Sequence, residues 1–187
     1  MRRSRYQIMV YIAMLAAQAV VISLLERVIP SPFPFAPGAK LGLANLVTII
    51  AIFTLPFKDS IQVVTIRVIV TMLVGGTLST FMYSFIGAFF SYFTMMLAKL
   101  LGPKRVSIIG ISTLGGITHN FGQLAVAATL AKSWSVFNYM PVLMISGVLA
   151  GFAVGFAGNY LLHKISRLRI YHEEMLMKNN QASWLNQ

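Results

Sequence analysis

The sequence predicts an all-α, polytopic membrane protein: six transmembrane helices in one bundle, with both termini cytoplasmic. Three observations predict it. Of 187 residues, 57% are hydrophobic and only 10% charged, whereas a soluble domain carries about 25% charged residues. The apolar residues gather in six runs punctuated by proline, glycine and charge, the pattern of successive spans. The basic residues are also sorted by side. With the N-terminus inside, eleven of the 15 lysines and arginines fall on inner flanks, three (Arg27, Lys40, Lys132) on outer loops, and one, Arg67, within a span. Such an excess of Lys and Arg on inner loops is what sets orientation in membranes. The net charge of +11 is therefore topological. It does not form the contiguous patch that nucleic acid requires, and no nucleic-acid partner is expected; the surrounding partner is membrane lipid. Cysteine is absent, which excludes disulfides, a thiolate nucleophile and cysteine-ligated metal.

Residues 1–7 hold Arg2, Arg3 and Arg5 and read as a basic cytoplasmic flank. The first span is expected over Ile8–Glu26. It is long enough to cross, and no small-residue cleavage site sets it apart as a signal peptide. A loop follows with Pro30, Pro32, Pro34 and Pro37 interleaved with Phe33 and Phe35; prolines so dense cannot form a helix, and the aromatics suit an interfacial cap. The second and third spans are expected over Lys40–Leu55, ending at Pro56, and Asp59–Val74, ending at Gly75-Gly76. Both are short against the usual length of about 20 residues. The fourth runs over Thr80–Leu100 to Gly102-Pro103, the fifth over Ser107–Leu130 and the sixth over Met140–Leu162. The membrane domain is thus 8–165, and 166–187 reads as a polar cytoplasmic tail whose last part frays.

Polar side chains inside such spans are costly unless they meet a partner or a cavity. Lys40 marks the rim of the second span and Asn45 lies about one turn deeper. Arg67 sits near the middle of the third, as an anion-binding or substrate-orienting group or as a structural cation held by carbonyls. Glu26 lies near the outer surface and Asp59 near the inner one, so neither is expected to pair with Arg67 at depth. His119 and Gln123, at i and i+4, share one face of the fifth span, with Asn120 a third of a turn round; they line a cavity or bond neighbouring helices. No second histidine or carboxylate is placed to join His119 around a metal, so no metal is expected. Ala13 and Ala17, four apart on the first span, allow another helix to approach closely, from within the chain or from a partner. Gly147, Gly151, Gly155 and Gly158 make a packing seam on the sixth.

No phosphate-binding Gly-x-x-x-x-Gly-Lys-Ser/Thr loop, aspartate-rich motif or serine–histidine–acid set is present, so neither ATP hydrolysis nor another enzymatic reaction is expected of this chain, and no cofactor is implied.

The stretch Pro37-Gly38-Ala39-Lys40-Leu41-Gly42-Leu43-Ala44-Asn45, the stretch Gly115-Gly116-Ile117-Thr118-His119-Asn120 and the spacing of the spans resemble the Gx transporter family, also described as heptaprenyl diphosphate synthase component I. The resemblance covers roughly residues 8–165. That family is similar in turn to the substrate-binding S components of energy-coupling-factor (ECF) transporters. It implies an S-component-like bundle that binds a small vitamin-like or redox/isoprenoid-related solute from the outer side. It implies Lys40, Asn45, Arg67, His119, Asn120 and Gln123 as substrate-binding residues. It further implies docking through Ala13 and Ala17 to a transmembrane coupling subunit driven by two ATPase subunits. The alternative it leaves is a non-catalytic membrane accessory protein in isoprenoid, quinone or flavin-based extracellular electron-transfer metabolism.

Overall fold

The computed structural model describes residues 4–28, 42–179 and 183–185. Among them all regular structure is helical: α1 (Arg5–Val28), α2 (Asn45–Thr54), α3 (Phe57–Leu73), α4 (Leu78–Leu100), α5 (Ile108–Ala131), a 3₁₀ segment (Trp134–Tyr139), α6 (Met140–Lys164) and α7 (Ser166–Asn179). Local chemistry explains most boundaries. Ser4 and Gln7 cap α1 reciprocally, as do Thr77 and Thr80 for α4, and Ser107 accepts the Gly110 N–H at 3.1 Å ahead of α5; each satisfies an N–H that a helix start leaves orphaned. Gly75 (φ 118°) and Gly102 (φ 80°) stop α3 and α4 in conformations that favour glycine.

Three segments are long and apolar enough to cross a membrane: Arg5–Val28, Leu78–Leu100 and Trp134–Lys164. Their most apolar stretches are only 28%, 39% and 28% buried within the protein, so most of that apolar surface faces outward. Water would not tolerate so much of it in a monomer; lipid does. The chain is a membrane protein.

The second helix differs most from expectation. It was expected from Lys40, but residues 43 and 44 form a turn and the helix begins only at Asn45. At 10 residues it is about 15 Å long, half a bilayer's hydrocarbon thickness. Nine of those residues are buried, and α2 contacts each of the other six helices. A helix apolar on all sides has to be interior, and this one is the bundle's central rod.

The other long helices surround it. α5 and α6 meet along the glycine seam: a Cβ on Gly151 would stand 2.7 Å from the Ser112 carbonyl oxygen, and one on Gly155 would stand 2.8 Å from Ile109 Cα. Gly122 brings α5 near the α4 backbone, where a Cβ would stand 3.1 Å from the Ile86 carbonyl oxygen. The four-residue glycine spacing is thus an internal packing face.

The tail is helical through residue 179. α7 packs on α2 and α6, and His172, Met175, Leu176 and Trp184 are buried. His172 Nδ1 donates to the Phe53 carbonyl at 2.7 Å and Lys99 Nζ to the Ile52 carbonyl at 2.6 Å. Those two carbonyls belong to the last turn of α2, which lacks helical partners of its own. Trp184 stacks edge-on against Phe53, ring centres 5.3 Å apart.

Burial holds the His172 pKa below its ordinary value of 6.5; the Phe53 carbonyl opposes that shift, Lys99 and His163 reinforce it, and Glu173 opposes it. The folded tail therefore carries neutral His172, whereas the unfolded tail takes up a proton near pH 6.5. Tail packing is complete above that pH and weakens as pH falls through the lower folded pKa. In Trp134→Phe protein, Trp184 fluorescence is expected to red-shift between about pH 7.5 and about pH 5.5, around the histidine range. His172→Gln should abolish this response. Emission unchanged by pH in the parent would contradict the assignment.

Candidate functional site

The opposite end of α2 opens on a small cavity of about 20 Å³, walled by Ser23 and Glu26 of α1, Gly42 and Ala44 of the turn, Arg67, Val68 and Thr71 of α3, Ser84 of α4 and His119 of α5. Among the described residues, four helices and one turn supply the walls.

Glu26 organises the near wall. It ends the buried stripe Leu15, Ala19, Ser23, Glu26 along α1, so helical periodicity carries it inward. Its Oε1 accepts the backbone N–H groups of Gly42 at 2.5 Å and Leu43 at 3.2 Å. The Gly42 carbonyl in turn accepts the Asn45 N–H at 2.9 Å. Gly42 has φ 87°, and a Cβ there would stand 3.1 Å from both Asn45 Nδ2 and His119 Cδ2. Only glycine meets both demands. Beside Glu26, Arg27 Nη2 donates to the Thr71 carbonyl at 2.6 Å and so caps the end of α3.

Arg67 and Thr71 stand one turn apart on α3, 5% and 3% exposed, and both reach the cavity. The acid whose field acts on Arg67 is Glu26. This corrects the expectation that Glu26 lies at the surface, remote from Arg67: the two share one cavity. Opposite, His119 packs on α4, where a Cβ on Gly87 would stand 3.0 Å from its Nδ1. The Gln123 amide nitrogen is 2.5 Å from His119 Nε2. With the amide donating, the neutral ring carries its proton on Nδ1.

The predicted residues thus divide. Arg67 and His119 line the cavity; Asn45 lies beside Gly42 at its edge, with Oδ1 buried and unbonded; Gln123 stands behind His119. Asn120 does not join them: it is fully buried and donates to the Leu143 carbonyl of α6 at 2.8 Å, which is the helix-bonding role. Lys40 lies outside the described residues. Glu26, Thr71, Ser23 and Ser84 were missed. Periodicity from Leu15 would have placed Ser23 and Glu26 inward, and Thr71 follows Arg67 by one turn; nothing local marks Ser84. Among the described residues no three His, Asp or Glu side chains lie close enough to ligate one metal ion.

The family profile described as heptaprenyl diphosphate synthase component I matches residues 15–161. The chain belongs to this family, the Gx transporter family. No curated protein and no solved structure matched the chain. In this Gx family member the matched span contains every wall of the cavity and stops before α7, so the tail that caps α2 lies beyond the shared region.

If Glu26 holds the turn, Glu26→Gln should lower stability by about 1–3 kcal/mol, the range for losing a charge-assisted bond to a buried N–H. Gly42→Ala should cost at least about 1–2 kcal/mol from its left-handed backbone alone. Thermal melting of the purified protein reads both, and parental melting in both variants would contradict the arrangement.

Proposed function

We propose that this Gx family member is the membrane-embedded substrate-binding subunit of an ECF-type importer, with six spans, cytoplasmic termini and a small solute bound from the outer side. The observation that carries the reading is the convergence of Arg67, Thr71 and His119 on a cavity beside the non-helical residues 42–44. Within a bilayer, irregular backbone is tolerated only where protein buries it or where it lines a cavity. A bundle that only needed to hold itself together would bond such groups to neighbouring helices, as Asn120 does.

In this reading the protein is not an enzyme. Energy comes from two partner ATPase subunits, coupled through a transmembrane subunit that docks on α1. Ala13 and Ala17 support the docking face, because both are exposed, flanked by exposed Val10, Met14 and Val21. Small side chains on an outward stripe leave room for a partner helix. The family's description favours a second reading, a non-catalytic accessory protein in isoprenoid or quinone metabolism. It needs no solute cavity and no ATPase partner.

Co-expression with the coupling subunit and ATPases of the same organism tests the choice. The ATPases should co-purify with the parent, and Ala13→Trp or Ala17→Trp should remove them while leaving the melting temperature within a few degrees, since exposed substitutions change stability little. A complex indifferent to both tryptophans counts against the importer.

A further inference from the structure

We propose that the cavity takes a small solute bearing a carboxylate or phosphate group, with the oxyanion held by Arg67 and the Thr71 hydroxyl; the inference rests on the solute-binding reading above.

The argument is one of unmatched donors. The Arg67 guanidinium carries five N–H donors and is buried, yet it has no hydrogen bond or ion pair within 4 Å among the described residues. Thr71 Oγ1 is buried and unbonded one turn away on the same face. The acid sharing the cavity, Glu26, directs Oε1 to the Gly42 and Leu43 N–H groups. Its charge offsets that of Arg67 at a distance but does not occupy the guanidinium. Ser23 and Ser84 add hydroxyls to the same walls.

A buried guanidinium is costly without a bonded acceptor. A neutral solute would leave it unbonded, and a cation would be repelled. A carboxylate or phosphate monoester supplies two oxygens in the geometry that the guanidinium fork accepts side by side. Thr71, at i+4 from Arg67, is placed to donate to the same group. The cavity of about 20 Å³ has room for the oxyanion head alone, so the rest of the solute stands at its mouth.

The test uses the full chain, purified in detergent and melted with four probes of one shape: benzoate, phenyl phosphate, benzamide and benzylamine. Benzoate or phenyl phosphate should raise the melting temperature in a saturable way below about 10 mM, a range suited to weak fragment binding. Benzamide and benzylamine should not. Arg67→Gln should weaken the response about tenfold or more, Arg67→Lys less, and Thr71→Val a few-fold, in line with charged and neutral hydrogen bonds respectively. Thr71→Val serves even if Arg67→Gln does not fold. The better anion separates carboxylate from phosphate. Stabilisation confined to nanodiscs of anionic phospholipid assigns the oxyanion to a lipid headgroup instead of a solute. The proposal is overturned if no anion stabilises the protein, if the neutral or cationic probe does so equally, or if both variants respond as the parent. Anion binding without ATPase co-purification would keep this site and discard the importer; co-purification without anion binding would do the reverse.

Discussion

A ten-residue helix buried on every side must have its end groups bonded largely by the protein. That constraint shapes the rest of this molecule. At its start α2 is tied through the turn 42–44, whose N–H groups end on the Glu26 carboxylate. At its finish the carbonyls of Ile52 and Phe53 end on Lys99 and His172. An acid therefore serves the N-terminal end and a lysine the C-terminal end, the arrangement that the helix dipole favours, with neutral His172 as a second donor there. Leaving one buried backbone group unbonded costs about 1–3 kcal/mol, a large part of a domain's net stability. Three side chains from α1, α4 and α7 are thus fixed in place by one short rod.

The cavity follows from the same constraint. Because α2 starts at Asn45 and not five residues earlier, the space above its first turn is left to side chains of the surrounding helices. Glu26 holds the turn away from that space, and Gly42 keeps it open where a Cβ would press on His119. Arg67 and Thr71 then face a gap in place of a packed neighbour. The two ends of α2 also connect distant regions: the tail packs on the same ten residues whose start forms the cavity edge. α2 is central, in contact with each of the other six helices.

Much of the helix order was legible because glycine and proline act locally. Gly75-Gly76 and Gly102-Pro103 end helices whatever surrounds them, and the four-residue glycine repeat of α6 specifies a close contact wherever its partner lies. The start of α2 was not legible. Leu41 to Leu46 is apolar enough to continue a helix, and what prevents it is the tertiary bond from Gly42 to Glu26, sixteen residues earlier. The packing of the tail was not legible for a similar reason. Residues 166–179 are too polar to announce a packed helix, and their order comes from His172, Met175, Leu176 and Trp184 meeting a helix more than a hundred residues away. Of the site residues, Arg67 and His119 stood out as polar groups in apolar runs. Asn120 stood out equally and proved to bond α6, because a run of sequence cannot tell which neighbour a polar side chain faces. Glu26 was discounted by its nearness to the chain's exit from α1, although its helical phase points inward.

The central claim is that α2 is fixed at both ends by side chains from other helices. Hydrogen exchange across residues 42–55, with the protein in nanodiscs, tests it most directly. Slow exchange is predicted throughout the parent. Glu26→Gln should accelerate residues 42–47 alone, and Lys99→Met or His172→Leu should accelerate the last turn alone, while the α5 rates stay unchanged. Exchange in α2 as rapid as in the 103–106 turn, or unmoved by all three substitutions, would contradict the account.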